Sequence, residues 1–356
     1  MKIVLSTGGT AGHVFPALYV ARQLTSQGHE VVFVGALSKS LDRIQRAGHK
    51  AFILEAKGLT AGSMLESGVL MARAFGRSLR ILNELKPDAV CGFGGYGAFA
   101  VVLAAVTSKV PAMIHEQNVI PGRANKLLSG LVRRVAVSFK CSEQFFGPRK
   151  TVWTGCPCRD LRVTASRESL LREFGLSAGK ITILVLGGSQ GSQRINEIFA
   201  QAAGDLKNDL AFQVLHLAGG GKNAALLAER YRSLGIPCRV FDFLDEMEKA
   251  YAVADLAVAR AGALTVNEIA RSRLPAILVP YPYAGGHQKA NAQVLADLGM
   301  ARLVEEKDLG PGSLREAVLA WAKERPDRHR FEAVVPGEFP ADPVGRLAGE
   351  ILRIKS

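Results

Sequence analysis

The chain lacks any long apolar run. Its longest, residues 98–106, falls far short of the ~18 residues that a bilayer-spanning helix needs. No transmembrane segment is expected, and any membrane contact would be peripheral. The first residues already read as a strand, so no signal peptide is expected either. Aromatic residues are scarce at 7%, and no RNA-binding or zinc-finger signature is present, which argues against a nucleic-acid partner. Cysteine is sparse and odd in number: Cys91, Cys141, Cys156, Cys158 and Cys238. Only Cys156-Pro157-Cys158 brings two together, and it lacks the second pair of a metal site. These read as reduced thiols of a cytosolic protein. The chain also has no Asp-x-Asp pair of the kind that holds a metal across a diphosphate, so neither a metal nor any other cofactor is expected.

What is present is a large, well-mixed chain. Its 356 residues suggest about two domains. A hydrophobic share of 48% with 22% charged residues supplies real cores. Lys plus Arg (45) exceeds Asp plus Glu (32), giving a formal net charge of +13. That excess suits an anionic membrane surface or a phosphorylated substrate.

The most informative stretch runs from Ala254 to Glu268. Residues 254–259 are apolar apart from Asp255, as in a buried parallel strand. A small-residue turn, Arg260-Ala261-Gly262, leads into a helix expected over 265–271, with Glu268 in its first turn. A strand that delivers a glycine turn onto a helix N-terminus is a ready anion site, because unpaired N–H groups and the helix dipole converge there. A carboxylate beside it accepts hydrogen bonds from a ribose diol. The same residues also read as an ordinary helix cap.

Around this stretch the chain alternates strand and helix. Residues 2–6 form a strand that enters Thr7-Gly8-Gly9-Thr10-Ala11-Gly12-His13, and a helix follows over about 16–27. His13, at the mouth of that helix, is either a cap or a proton acceptor. Further strands are expected at 31–34 and 51–55, a helix at 39–48 and a loop at 57–63. Residues 64–85 mix Leu65, Val69, Leu70, Met71 and Phe75 with Arg73, Arg77, Arg80 and Lys86. This reads as a packed helix with a basic face, or as an interfacial patch for anionic lipid. A strand at 89–91 enters Gly92-Phe93-Gly94-Gly95-Tyr96-Gly97, a literal dinucleotide fingerprint with Glu116 near the ribose-acid spacing. A strand at 111–114 ends in His115-Glu116-Gln117-Asn118, and the helix after Pro121-Gly122 holds Asn125. The hinge is expected at residues 154–159. The pattern then restarts with a strand at 181–186, the turn Gly187-Gly188-Ser189-Gln190-Gly191-Ser192 and a helix from 195. Later strands fall at 211–218, 239–244 and 275–280, and a helix starts within Gly285 to Asn291. An amphipathic tail at 343–354 closes the chain.

Taken together, these motifs resemble the MurG family, the lipid I N-acetylglucosaminyltransferases of bacterial peptidoglycan synthesis. The resemblance rests on Gly8 to Pro16, Gly94-Gly95-Tyr96, His115 to Asn118, Gly187 to Gly191, and Arg260 to Glu268 with Gln288 and Asn291. It implies an α/β GT-B fold, with two Rossmann-like domains of parallel sheets facing a central cleft. The expected bounds are 1–158 for an acceptor and membrane-contact domain and 159–338 for a UDP-N-acetylglucosamine-binding domain. Residues 339–356 would form a helix crossing back to the first domain.

By position, the resemblance gives donor contacts to Thr10, Ala11, Gly12, Asn118, Arg159, Ser189, Leu244, Ala263, Leu264, Thr265, Val266, Asn267, Glu268 and Gln288. Among these, Glu268 would take the ribose diol, Leu244 the uracil and Gln288 the sugar hydroxyls. Acceptor contacts fall to Gly94, Gly95, Tyr96 and Asn125. The implied reaction transfers N-acetylglucosamine from UDP-N-acetylglucosamine to the C4 hydroxyl of the muramoyl sugar of lipid I, with inversion. The implied partners are those two substrates, the anionic inner-membrane surface on its cytoplasmic face, and other cell-wall synthesis proteins. The hinge departs from the family's Gly-Asn-Pro-x-Arg pattern, since Cys156 replaces the Asn while Arg159 remains.

The chemistry needs a base on the incoming hydroxyl and an offset for the departing diphosphate. His13 is the first candidate base and Glu116 the second. Helix N-termini, the Ser189 turn and Arg159 would carry the diphosphate charge. Three rivals stand beside this reading: a UDP-N-acetylglucosamine 2-epimerase, an NAD-type oxidoreductase using the Gly92 fingerprint, and a non-catalytic basic scaffold.

Overall fold

The computed structural model describes all residues except 39, 56–63, 222, 223, 284 and 356, and leaves aside the side chains of 64–67. The loop expected at 57–63, the start of the helix expected at 39, and Leu65 of the basic helix lie outside the described residues or side chains. The chain forms two compact units, Met1–Cys158 with Pro340–Ser356, and Arg159–Phe339.

Among the described residues, unit 1 holds seven strands: β1 (Lys2–Thr7), β2 (Glu30–Gly35), β3 (Lys50–Ile53), β4 (Ala89–Gly92), β5 (Ala112–Glu116), β6 (Arg134–Val137) and β7 (Thr151–Trp153). Every pairing is parallel, in the order β3-β2-β1-β4-β5-β6-β7. The order reverses between β1 and β4, the switch point where open α/β sheets bind ligands. Its helices are α1 (Ala11–Ser26), α2 (Leu41–Arg46), α3 (Met64–Leu85), α4 (Gly95–Thr107) and α5 (Arg123–Leu128).

Unit 2 holds β8 (Ile181–Leu186), β9 (Phe212–Leu217), β10 (Cys238–Phe241), β11 (Leu256–Ala259), β12 (Ala276–Leu278) and β13 (Ala301–Leu303). They too are all parallel, in the order β10-β9-β8-β11-β12-β13. The helices are α6 (Arg167–Glu173), α7 (Gln193–Leu206), α8 (Ala224–Ser233), α9 (Met247–Val253), α10 (Ala263–Arg271), α11 (His287–Asp297), α12 (Pro311–Glu324) and α13 (Val335–Glu338). A last helix, α14 (Pro343–Arg353), returns to unit 1.

The period of two along β1 divides the core of unit 1. Ile3 and Leu5 face Val14, Leu18 and the α14 residues Leu347 and Ile351. Val4, between them, faces Ile81, Val101 and Val102 on the opposite side. Strand β8 is covered on both faces and so is buried throughout, and apart from Thr182 it reads as an apolar run. Asp342 caps α14 by accepting from Gly345 N at 2.8 Å, and Pro343 suits the first helical position. Burying Leu347 and Ile351 contributes ~1.5–3 kcal/mol each.

Besides shifts of one to three residues elsewhere, among them β10, which ends at Phe241 short of Leu244, three boundaries differ where they bear on the site. Helix α1 starts at Ala11 rather than near Pro16, the sixth residue of the helix. Proline there cannot donate to the Gly12 carbonyl, but Gly12 is exposed and water can serve instead. Strand β5 runs through His115 and Glu116, two residues past the expected end at 114. Helix α10 starts at Ala263, which places Glu268 in the second turn and not the first.

Candidate active site

In unit 1 the ends of β1, β4 and β5 carry the predicted residues. The turns after β1 and β4 interlock, with Gly8 N donating to Gly94 O at 2.9 Å. A Cβ on Gly95 would come within 2.9 Å of Gly8 Cα, and one on Gly97 within 2.5 Å of Ala36 N. Gly94 and Gly95 also have positive φ, +87° and +82°. Turn conformation and close packing therefore account for Gly94 and Gly97 of the apparent dinucleotide fingerprint, and a Cβ on its Gly92 would meet the Val102 side chain at 2.5 Å.

The His13 ring lies against these turns, and a Cβ on Gly94 would sit 3.3 Å from its Nε2. Its Nδ1 is 2.8 Å from Thr10 Oγ1. Desolvation pulls His13 down to about 4, so the imidazole is neutral near pH 7. When Nδ1–H donates to Thr10, Nε2 carries the lone pair of a base. In the other tautomer Nε2–H becomes a donor.

Glu116 is buried and its carboxylate is occupied. Oε1 accepts from Asn118 N (2.9 Å) and Asn118 Nδ2 (3.3 Å), while Oε2 accepts from Gly122 N (3.0 Å) and Asn125 Nδ2 (2.8 Å). These bonds hold the 118–125 loop, which suits loop ordering rather than proton abstraction. Asn125 is thereby committed through its amino end, while its buried Oδ1 has no partner among the described residues. Gln117 donates to Phe93 O at 2.9 Å. His115, fully buried and pulled down to about 4 by that burial, lies 3.1 Å from Gly155 O through Nε2. Tyr96 is half-buried in the first turn of α4.

In unit 2 the ends of β8, β11 and β12 converge. After β8, a Cβ on Gly187 would fall 2.1 Å from Ser192 N, and one on Gly191 2.1 Å from Ala218 O. This tight turn leaves Ser189 exposed and lets Ser192 Oγ cap α7. Arg260 ties three segments together. Its guanidinium donates to Ser192 Oγ (2.9 Å), to Val279 O (3.2 Å) and to both oxygens of Glu306. Gln288 Oε1 accepts from Ala261 N (3.1 Å) and Tyr281 N (3.0 Å). Asn291 Nδ2 donates to Ala261 O at 3.2 Å. Gly187, Ser192, Arg260, Tyr281, Gln288 and Glu306 line a cavity of about 370 Å³.

Glu268 is 5% exposed and gripped from two sides. Arg159 Nε donates to Oε1 at 2.9 Å, and Tyr251 OH to Oε2 at 2.9 Å. Burial pushes the carboxyl upward, opposed by Arg159 and Tyr251. Arg159 also donates to Asp245 O, beside half-buried Leu244, and pairs with Glu248 at 3.5 Å. Two predicted contacts are constrained. The Val266 side chain belongs to the core, and Asn267 Nδ2 donates back to Ala263 O at 2.9 Å. Val266 N is taken as well, donating to Gly262 O at 2.9 Å, whereas Ala263, Leu264 and Thr265 form the opening turn of α10. Tyr251 carries no signal in the sequence, where a tyrosine in a short apolar helix reads as core. Among the described residues, no group of three His, Cys, Asp or Glu could hold a metal ion, and no helix is long and apolar enough to cross a membrane.

Parallel sheets with glycine turns at their carboxyl ends are matched by two family domains. The glycosyltransferase family 28 N-terminal domain matches residues 3–137, and the C-terminal domain matches residues 182–333. The class is thus a GT-B glycosyltransferase of family 28. A UDP-N-acetylglucosamine--N-acetylmuramyl-(pentapeptide) pyrophosphoryl-undecaprenol N-acetylglucosamine transferase of Halothermothrix orenii is 38% identical over 328 residues, 87% of each chain. The enzyme of the same name from Desulfotalea psychrophila is 36% identical over 97% of this chain and 95% of its own. The crystal structure of Acinetobacter baumannii MurG superposes with a TM-score of 0.78 at 28% identity, covering 99% of both chains. The chain belongs to the MurG family. A UDP-GlcNAc 2-epimerase from Neisseria meningitidis shares the fold, with a TM-score of 0.71 at 14% identity over 99% of this chain and 100% of its own.

Proposed function

We propose that the chain transfers N-acetylglucosamine from UDP-N-acetylglucosamine to the C4 hydroxyl of the muramoyl sugar of lipid I, with inversion, releasing UDP and lipid II. The observation that carries this reading is the turn after β11. Its Gly262 starts α10, which holds buried Glu268, and its Ala261 binds Gln288 of the cavity. Nucleotide, diphosphate and sugar recognition are thus built on one turn.

The departing diphosphate is stabilised by N–H groups of Ala263 to Thr265 and by the Ser189 turn, because preorganised dipoles act without reorganisation. Gln288, its carbonyl end committed, turns its amino end to a sugar hydroxyl. Arg159 serves the ribose end of the donor rather than the diphosphate, since its guanidinium is bonded to Glu268. Leu244 lies by the uracil. In unit 1, His13 Nε2 takes the proton of the acceptor hydroxyl as its oxygen bonds the anomeric carbon. The anomeric C–O bond to the diphosphate breaks, and its electron pair leaves on UDP. Thr10, Ala11, Gly12 and Asn118 serve the donor, and Gly94, Gly95, Tyr96 and Asn125 the acceptor. Glu116 is a positioning residue that holds the Asn118–Asn125 loop. The exposed Arg73, Arg77 and Arg80 share one face of α3 and meet the anionic inner-membrane surface at its cytoplasmic side.

The test is a transfer assay with UDP-N-acetylglucosamine, a short-chain lipid I analogue and chelator. The expected products are UDP and the disaccharide lipid. Epimerised donor without transfer would replace this reading with the epimerase. Activity lost to chelator and restored by magnesium would overturn the metal-free account of the diphosphate.

A further inference from the structure

Glu268 is held by a residue to which no role has been given. Tyr251 lies on α9, 1% exposed, among core residues. A buried phenol must find a partner for its hydroxyl, and this one finds a carboxylate seventeen residues on, in the helix that follows β11. Tyr251 OH is bound to Oε2 and Arg159 Nε to Oε1, both at 2.9 Å. One donor on each oxygen fixes the plane of the carboxylate against rotation. Each oxygen accepts in two lone-pair directions, so one direction per oxygen remains. Two parallel acceptor sites on one rigid carboxylate match the two adjacent hydroxyls of a ribose. Arg159 is anchored in turn by Asp245 O and Glu248, so the grip is braced from the α9 side as well.

We propose that Tyr251 is a positioning residue for the donor ribose: its hydroxyl, together with Arg159, orients the Glu268 carboxylate so that both oxygens accept from the 2′ and 3′ hydroxyls. This rests on the reading of Glu268 as the ribose clamp.

The test is calorimetry on the full chain with UDP and 2′-deoxy-UDP, comparing the natural chain with Tyr251→Phe and Glu268→Gln. The natural chain is expected to prefer UDP by ~10-fold, the equivalent of one hydrogen bond. Tyr251→Phe keeps the ring and its packing. It should weaken UDP by ~5–10-fold and 2′-deoxy-UDP, which keeps only the 3′ hydroxyl, by clearly less, so that the preference shrinks. The donor KM should rise with kcat unchanged. The ratio of the two affinities does not depend on the folded fraction, so even a partly unfolded variant separates the outcomes. A full preference in Tyr251→Phe, with the preference lost in Glu268→Gln, would overturn the role of Tyr251 and leave the clamp standing. Equal weakening of both ligands would mark the hydroxyl as merely structural. No preference in the natural chain, with Glu268→Gln unchanged, would bring down the clamp and the proposal with it.

Discussion

At the scale of single residues, the base assignment turns on one hydrogen bond. His13 can accept a proton through Nε2 only while Nδ1 carries the hydrogen, and Thr10 Oγ1, 2.8 Å away, is placed to accept it there. A second residue orienting an imidazole is the usual way a tautomer is set. His13→Ala should lower kcat by about 100-fold or more. Thr10→Val should lower it less, because it removes the tautomer's anchor and leaves the imidazole in place. Steady-state kinetics on both variants decides the point, and near-normal turnover in His13→Ala would remove the imidazole from the chemistry. Glu116 shows what residue types conceal. In sequence it is an acid in a polar tetrapeptide, equally apt as base or ribose ligand. Its actual partners include two backbone N–H groups, Asn118 and Gly122, which no side-chain pattern announces.

At the scale of elements, strand and helix order is legible in the sequence because parallel strands buried on both faces leave unbroken apolar runs. Ile181 to Leu186 falls where the sequence places it. The ends are less legible. Pro16 suggests a helix start, whereas an exposed Gly12 lets the helix begin earlier. Ala263 and Leu264 look like turn residues but are good helix formers behind the extended Gly262, which moves Glu268 one turn inward. The tie from α9 to α10 through Tyr251 is invisible in the sequence, since it needs the intervening strand to fold first. Helix α14 offers the sharpest element-level test, because its apolar stripe belongs to a core assembled from residues far away in sequence. Leu347 is fully buried against the face of the sheet formed by Ile3 and Leu5. Leu347→Ala should destabilise unit 1 by ~2–5 kcal/mol. Denaturant unfolding followed by hydrogen exchange should show the loss in β1 and α1. An unchanged midpoint would mean that α14 is not needed to close that core.

At the scale of the whole molecule, two distributed properties carry consequences. The first is a set of buried histidines. Burial pulls His115 to about 4 and His216 to about 3. His216 is bonded to Tyr231 OH at 2.8 Å and Asn196 Oδ1 at 3.0 Å. Their folded pKa values lie below the unfolded value of 6.5, so the unfolded chain binds more protons in between. Stability is therefore complete above pH 6.5 and falls as pH drops towards the folded values, by up to ~3 kcal/mol for His115. Urea midpoints should decline from pH 6.5 to pH 4.5, a window above the ordinary carboxylate range. Midpoints that stay level across it would show both rings to be as easily protonated as in water.

The second property is charge, and it decides whether the basic excess is solvation or address. A net charge of +13 spread evenly would favour any anionic surface weakly and without geometry. Arg73, Arg77 and Arg80 are not spread evenly: steps of four and three residues put all three on one exposed face of α3, with Val69 exposed a turn earlier. Each arginine near an anionic bilayer contributes ~1 kcal/mol, so replacing all three with glutamine should weaken binding to anionic vesicles by ~100-fold. The remaining basic residues would still give a residual, salt-sensitive attraction. Co-sedimentation with vesicles of anionic and of zwitterionic lipid separates the two contributions. Only the anionic arm should respond to the triple substitution, and transfer to a soluble acceptor analogue should be unchanged. If anionic binding survives in full, the arginines are simply the solvated side of a packed helix, and membrane contact must be sought on another face of the molecule.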